Sequence, residues 1–306
     1  MNFSNKLVIW YQDCKRDLPW RNTVNPYHIW LSEIILQQTR VLQGTPYYLA
    51  FLKAFPTIED LASASENKVL KMWQGLGYYS RARNLHYTAK DIVNNFGGEF
   101  PKDHKKILEF KGIGSYTAAA ITSFAFDMPY AVVDGNVIRV LSRVFGVSIP
   151  FDTSAGKKEF QYLAQELLIE KEAAIYNQAI MEFGALQCKP KSPDCSSCPM
   201  QDFCVAYATD SVAELPVKSK KIKVKDRFLY YLFIEQEDDI FLGKRKSGIW
   251  TGLYEFPFLE FPMILDENQV MQSDEWLKIF LDSNCHVKSV SSEFIHILSH
   301  QKIHAQ

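Results

Sequence analysis

Four cysteines in one short segment carry the clearest chemistry of this sequence. Their spacing is Cys188-x6-Cys195-x2-Cys198-x5-Cys204, which points to a disulfide knot, a zinc ion or an iron–sulfur cluster. Structural zinc sites usually pair two CxxC turns, whereas this segment has one CxxC flanked by wider loops. The wider loops favour the bulkier iron–sulfur cluster over a single tetrahedral ion.

Two carboxylates have the surroundings that cleavage of a glycosidic bond requires. Glu33 lies between Trp30 and Leu36 among apolar neighbours, which would desolvate its carboxyl group and raise its pKa. Asp134 opens a helical pattern, and the default interpretation of such an aspartate is an N-cap. The corresponding default for Glu33 is the polar edge of an amphipathic helix. Together, a protonated acid and an ionised carboxylate could release a base and stabilise an oxocarbenium-like sugar.

A glycine turn, Lys111-Gly112-Ile113-Gly114, separates two helical patterns. Glycines let a backbone approach a phosphate closely, and the N–H groups at the start of the next helix can bind it. A plain tight turn is the simpler interpretation of the motif alone. Its position between two helices favours a helix-hairpin-helix DNA clamp.

The order of elements predicts a mainly α protein with a smaller α+β part at the end. Residues 1–210 carry helix-like apolar spacing, residues 211–227 form a lysine-rich linker, and residues 228–306 form the second domain. The expected strands of that domain are Arg227–Ile234, Ile240–Lys244, Trp250–Pro257 and Val287–His296, and the expected helix is Asp274–Leu281.

Bulk composition fits a globular protein of two domains. The chain has 306 residues, 47% of them hydrophobic and 23% charged, with a formal net charge of −1. A neutral total does not exclude nucleic acid, because binding depends on a local patch. We expect no membrane association, a cytoplasmic location, and reduced core positions for Cys14 and Cys285.

Several motifs together resemble one known family. They are Leu18-Pro19-Trp20, the helix from Trp30 to Thr39, Gly75 to Asn84, Gly112 to Thr117, Asp134-Gly135-Asn136 and the cysteine segment. The chain is similar in these motifs to the MutY family of adenine DNA glycosylases, within the endonuclease III superfamily. The resemblance covers nearly all of residues 1–210 strongly and the remainder weakly.

The resemblance implies roles for the carboxylates and their neighbours. Glu33 would be the general acid that protonates adenine, and Asp134 would stabilise the sugar cation. Asn136 and Tyr116 would orient these groups. Bifunctional members of the superfamily carry a lysine at the position of Tyr116, and a phenol cannot form their Schiff base. The resemblance therefore predicts a monofunctional enzyme that leaves an abasic site.

The resemblance also implies a surface for DNA. Gln37, Gln38 and Tyr78 would enter the base stack while adenine is flipped out, and Arg81 and Arg83 would contact phosphates. Gly112 and Gly114 would form the hairpin clamp, where Lys111 replaces a proline that is common in the family. The four cysteines would hold a [4Fe–4S] cluster that shapes a DNA-contacting loop, residues 188–204.

The second domain resembles the Nudix-like domain that ends MutY proteins and senses 8-oxoguanine. Its contact loop would be Leu298-Ser299-His300, with Ser299 and His300 on the DNA, and we expect the domain to be incomplete. The expected partner of this monomer is double-stranded DNA with adenine opposite 8-oxoguanine or guanine. Two alternatives are a thymine-mismatch glycosylase and a non-catalytic iron–sulfur protein that binds damaged DNA.

Overall fold

Helices make up the first of the two units into which the chain divides, Met1–Ser219, and strands appear in the second, Lys220–Gln306. The computed structural model describes residues 2–219, 224–248, 250–280, 285–298 and 300–306. Leu215 is buried and its carbonyl accepts a hydrogen bond from Arg143. Residues 211–219, which the sequence predicted as part of the linker, therefore belong to the first unit.

The first unit shows helices and turns throughout residues 2–219, without a strand there. Its α-helices are α1 (Phe3–Cys14), α2 (Pro26–Leu36), α3 (Val41–Ala54), α4 (Ile58–Ser63), α5 (Glu66–Met72), α6 (Ser80–Phe96), α7 (His104–Glu109), α8 (Ser115–Phe126), α9 (Gly135–Phe145), α10 (Ser154–Glu166), α11 (Ala173–Leu186) and α12 (Val205–Ala208). Among the described residues, none of the helices is both long and apolar enough to cross a bilayer.

Helix α8 lies between two hydrophobic cores. Ala118 and Ile121 pack into a core built with α2 to α7, while Ala119 and Ala120 pack into a core built with α1 and α9 to α11. Every residue from Thr117 to Ser123 is buried. A helix that is apolar on all sides belongs inside a protein, and its small side chains let neighbouring helices approach from both sides.

The turn between α7 and α8 has the hairpin form that the glycines predicted. Phe110 and Ile113 are buried anchors on either side of the turn. Gly112 has φ +82°, and a Cβ there would lie 2.7 Å from the Cβ of Asn84 on α6. Only glycine fits this combination of backbone conformation and close packing. The lysine at position 111 is compatible with the turn.

The second unit contains a four-stranded sheet in the order β6-β1-β8-β7, with β1 and β8 parallel. Its elements are β1 (Lys225–Tyr231), β2 (Glu235–Gln236), β3 (Asp239–Ile240), β4 (Gly243–Lys244), β5 (Tyr254–Glu255), β6 (Phe258–Phe261), α13 (Glu267–Met271), α14 (Asp274–Phe280), β7 (Phe294–Ile297) and β8 (Gln301–Ala305).

All four strands expected in this unit differ from the prediction. The strand expected at Arg227–Ile234 is β1, which ends at Tyr231. The strand expected at Ile240–Lys244 is divided between β3 and β4. Between Trp250 and Pro257 only Tyr254–Glu255 is a strand, because positive φ angles at Trp250 and Gly252 turn the chain first. The expected strand at Val287–His296 begins only at Phe294. The helix predicted at Asp274–Leu281 is present as α14, and Leu281 itself lies outside the described residues.

The core positions expected for Cys14 and Cys285 are wrong, since both cysteines are exposed. The buried stripe of α1 ends at Tyr11. Cys14 is the last residue of that helix and extends past the edge of the core. Cys285 lies in the irregular segment before β7.

A buried carboxylate ties the segment between α1 and α2 to α11. Glu182 on α11 has a side chain that is 1% exposed, and its Oε2 accepts hydrogen bonds from Arg16 Nη2 at 2.6 Å and Arg21 Nη2 at 2.8 Å. Burial alone would raise the pKa of Glu182, but the hydrogen bonds from Arg16 and Arg21 outweigh it and lower the pKa to about 2. The charged form is therefore the one that stabilises the fold.

The depressed pKa of Glu182 predicts how stability depends on pH. Its contribution is present above the ordinary glutamate pKa of 4.5 and is lost as the pH falls through the folded value. The wild-type free energy of unfolding should therefore drop by about 3 kcal/mol over this range. Glu182→Gln should be less stable at neutral pH and should lack this drop. Urea unfolding of both proteins across a pH series measures it, and parallel pH profiles would contradict the assignment.

Candidate active site

Glu33 and Tyr116 meet where α2 packs against α8. Glu33, near the end of α2, is only 7% exposed. Tyr116, in the first turn of α8, donates its hydroxyl hydrogen to Glu33 Oε2 at 2.7 Å. The apolar neighbours of Glu33 had predicted its burial, and the structure confirms it.

Burial shifts the pKa of Glu33 into the neutral range. Desolvation is the largest cause and raises the pKa, the hydrogen bond from Tyr116 lowers it, the charge of Asp134 raises it again, and Arg21 lowers it. The resulting pKa is about 7. A carboxyl group with this pKa is substantially protonated near neutrality, as a general acid must be.

Asp134 is both a helix cap and a neighbour of the acid. Its Oδ1 accepts from the Val137 N–H at 2.8 Å, which caps α9, and its Oδ2 accepts from Asn136 Nδ2 at 2.8 Å. Burial raises the pKa of Asp134, while these hydrogen bonds oppose the rise. The donors and the helix N-terminus favour the ionised form.

A chain of hydrogen bonds links Asp134 to the cysteine segment. Arg139 on α9 is buried, and its Nη2 donates to Asn136 Oδ1 at 2.8 Å and to the Gly184 carbonyl at 2.6 Å. Its Nε donates to the Cys188 carbonyl at 2.8 Å. A Cβ at Gly184 would lie 2.6 Å from the Cβ of Asn136, so this glycine lets α11 approach the site.

The surroundings of the cysteine segment fit a negatively charged group with thiolate ligands. Cys188, Cys198 and Cys204 pack against the same core, and Arg143 Nη1 lies 3.6 Å from Cys188 Sγ. A buried guanidinium beside thiolate sulfur suits the negative charge of an iron–sulfur cluster with four thiolate ligands.

A small cavity lies beside Glu33. It measures about 40 Å³, enough for one water molecule and too little for a purine base until side chains move. Its lining residues are Trp20, Arg21, Ile29, Ser32, Glu33, Phe124, Gln178 and Met181. Sequence reasoning missed Arg21, Gln178 and Met181, because no motif signals contacts between residues so far apart in the chain.

Two of the residues expected in the base stack have strained backbones. Gln38 has φ 55° and Tyr78 has φ 46°. Both values lie in the left-handed region, which residues other than glycine rarely adopt. Tyr78 is 51% exposed, and Gln37 ends α2 as its C-cap. Such strain is characteristic of functional loops.

Arg81 does not fit the expected phosphate contact. Its Nη1 donates to the carbonyls of Ile34 and Gln37, and its Nη2 donates to the carbonyl of Leu76. This guanidinium fastens the end of α2 to the turn that carries Tyr78. Arg83 lies 3.9 Å from Glu66 in an ion pair.

The remaining expected DNA contacts lie in two turns. Gly112 and Gly114 are exposed in the hairpin between α7 and α8, and Gly114 begins α8 without a side-chain cap. In the second unit, His300 lies in the turn between β7 and β8, where Leu298 N–H donates to the Gln301 carbonyl. Ser299 lies outside the described residues.

Two family models match the chain. Residues 31–168 match the HhH-GPD superfamily of base excision DNA repair proteins, and residues 188–204 match the iron–sulfur binding domain of endonuclease III. The first match includes Glu33, Tyr116 and Asp134, and the second begins and ends at the outer cysteines of the segment.

Curated relatives match nearly the whole chain. An adenine DNA glycosylase of Buchnera aphidicola subsp. Baizongia pistaciae is 35% identical over 97% of this chain and 83% of its own length. An adenine DNA glycosylase of Arabidopsis thaliana is 34% identical over 96% of this chain and 54% of its own length. These matches extend through both units.

Among solved structures, a thermostable thymine-DNA glycosylase has a TM-score of 0.63 and 31% identity, covering 68% of this chain and 95% of that one. A non-covalent endonuclease III–DNA complex has a TM-score of 0.59 at 22% identity, covering 68% of this chain and 94% of that one. The second likeness shows a shared fold for the helical unit.

The contact between Glu33 and Tyr116 predicts a titration. Tyr116→Phe removes a hydrogen bond that stabilises the ionised carboxylate, so the pKa of Glu33 should rise above about 7. Carboxyl ¹³C NMR of labelled glutamate can follow it, with Glu33→Gln to assign the signal. An unchanged or lower pKa in Tyr116→Phe would rule out this electrostatic role for the phenol.

Proposed function

Because this chain belongs to the adenine DNA glycosylases of the HhH-GPD superfamily, we propose that it excises adenine opposite 8-oxoguanine or guanine and leaves the strand uncut. It is a base excision repair enzyme that acts on adenine in DNA and carries a [4Fe–4S] cluster. The observation that supports the chemistry is the buried pair of Glu33 and Asp134.

The first step is departure of the base. Adenine leaves the DNA double helix and enters the cavity beside Glu33. The cavity must widen to admit the base, and the flexible side chain of Met181 in its wall suits that movement. Protonated Glu33 gives its proton to a ring nitrogen of adenine. The bond between that base and C1′ then breaks with its electron pair going to adenine, which departs as a neutral molecule.

The second step involves the sugar cation. The carboxylate of Asp134, held by Val137 and Asn136, faces the positive charge that develops at C1′ and stabilises it. A water molecule then adds to C1′ and gives one proton to the Glu33 carboxylate, which restores the acid and leaves an abasic site. The hydroxyl of Tyr116 stabilises the Glu33 carboxylate after its proton has gone.

The phenol at position 116 supports monofunctional chemistry. Cleavage of the strand by a glycosylase of the bifunctional kind needs an amine that forms a Schiff base with C1′. Tyr116 lies against Glu33, where that amine would be needed, and a phenol cannot form an imine. The product is therefore an abasic site in an intact strand.

The cysteine segment has a structural part in this proposal. Cys188, Cys195, Cys198 and Cys204 would hold the cluster, which when bound supplies a polarisable, thiolate-ligated cross-link for residues 188–204. The Arg139 hydrogen bonds connect the base of that loop to Asn136. Fixing the loop thereby helps to fix Asp134.

Recognition of 8-oxoguanine is assigned to the second unit. His300 lies in the turn between β7 and β8, after Leu298, and the four-stranded sheet that contains both strands supports this turn. Ser299 is assigned the same role from its place in the sequence. Glu33, Tyr116 and Asp134 all belong to one chain, and the proposed enzyme acts as a monomer.

Single-turnover assays test the proposed activity. A duplex with adenine opposite 8-oxoguanine should yield strand breaks only after alkali, and Glu33→Gln should slow release by at least ~100-fold, as expected for loss of a general acid. A duplex with thymine opposite guanine is the control for the mismatch alternative. Breaks without alkali, thymine release, or normal adenine release by Glu33→Gln would each contradict the proposal.

Substitution of His300 tests the role of the second unit. His300→Ala should reduce the preference for adenine opposite 8-oxoguanine over adenine opposite guanine, while the rate on the guanine duplex changes little. Arg227→Gln, which removes an ion pair with Glu260 in the same sheet, is a control for general damage to this unit. If both variants keep the wild-type preference, the turn does not read 8-oxoguanine.

A further inference from the structure

The backbone of Lys111 is fixed at the exposed edge of the hairpin. The carbonyl of Lys111 accepts a hydrogen bond of 2.8 Å from Oγ1 of Thr88, a fully buried residue of α6. The next residue, Gly112, packs on Asn84 of the same helix. The start of the lysine side chain is therefore held in place, while Lys111 itself is exposed.

An aromatic ring orients the end of this side chain. Lys111 Nζ lies 4.7 Å from the centroid of Tyr87, and Tyr87 is 56% exposed on α6. The face of an aromatic ring attracts an ammonium group without neutralising its charge. No ion pair involves Lys111 within the described parts of the chain. Its charge and N–H donors are therefore available to an anion.

The same turn exposes backbone donors. Gly114 is the N-cap of α8, a helix of 12 residues, and gives no side-chain hydrogen bond to the first N–H groups of the helix. Gly114 is exposed, and among the described residues no atom lies within 4 Å of the position that a Cβ would take there. The N-terminus of a helix and a nearby ammonium both favour a phosphate group.

We propose that Lys111 binds a backbone phosphate of the DNA with its ammonium group, beside the backbone N–H groups of the hairpin, and that Tyr87 holds it there. The proposal rests on the proposed function, because it assigns a phosphate contact for the same DNA. The ammonium group of Lys111 adds a positive charge beside the backbone N–H groups of the turn. The contact is independent of base sequence, since phosphates carry no sequence information.

Salt dependence of binding tests the proposal. The dissociation constant is measured by fluorescence anisotropy over a series of salt concentrations, for a fully paired duplex and for one with adenine opposite 8-oxoguanine. Proteins for the second duplex carry Glu33→Gln so that adenine stays in place. Lys111→Met should lower the slope of the logarithm of the dissociation constant against the logarithm of the salt concentration by about 0.9, the value for one phosphate contact. Both duplexes should lose affinity by the same factor.

Three further variants separate charge, orientation and fold. Lys111→Arg should keep the wild-type slope. Lys158→Met removes an exposed lysine of α10 and should leave the slope unchanged. Helix α10 packs into the core built with α1, α9 and α11, whereas the hairpin packs into the other core. Tyr87→Leu should weaken binding in the wild-type background and have no further effect when combined with Lys111→Met.

The outcomes distinguish this inference from the proposed function. If the wild type releases adenine and Lys111→Met keeps the full slope, the phosphate contact is wrong and the proposed function stands. An equal decrease of the slope in Lys158→Met and Lys111→Met would also overturn the phosphate contact, because the decrease would then follow from the change in net charge alone. If Lys111→Met lowers the slope as predicted but the wild type releases no adenine, the phosphate contact stands and the proposed function is wrong.

Discussion

The burial of α8 between two hydrophobic cores is the constraint on which the site depends. Because this helix packs on both sides, the acid on α2 and the carboxylate before α9 are brought together although each belongs to a different core. Tyr116 lies at the junction and bonds directly to Glu33. The run from Ala118 to Ala120 makes the close approach possible, since larger side chains would separate the helices. The desolvation that gives Glu33 its neutral pKa is a consequence of the same packing.

The sequence predicted the local features of this arrangement well. Apolar neighbours around Glu33 predicted its burial, the glycines at 112 and 114 predicted the hairpin, and Asp134 was correctly considered as a helix cap. These predictions succeed because each depends on residues close together in the chain. The surroundings of Glu33 and Asp134 also suggested that the two act as a pair, and the likeness to known glycosylases then added a specific role for each.

Features formed by distant residues could not be predicted in the same way. Glu182 and its arginines are separated by more than 160 positions, and no local pattern indicates that they meet. The resemblance implied that Arg81 contacts phosphate, yet the end of α2 supplies carbonyls that occupy its donors. The lengths of the strands in the second unit were also overestimated, because residues such as Trp250 adopt turn conformations that composition does not reveal.

The small size of the cavity beside Glu33 has a consequence for the search along a genome. With room for about one water molecule, the acid is shielded from bases that stay in the helix. An adenine must be extruded and must also displace the side chains around it before a proton can be transferred. Adenine in an ordinary pair with thymine has to give up stacking and pairing before it reaches that point, whereas a mismatched base gives up less. If the chain excises mispaired adenine as proposed, the closed cavity would act as a kinetic threshold that protects the far more abundant correct pairs from excision.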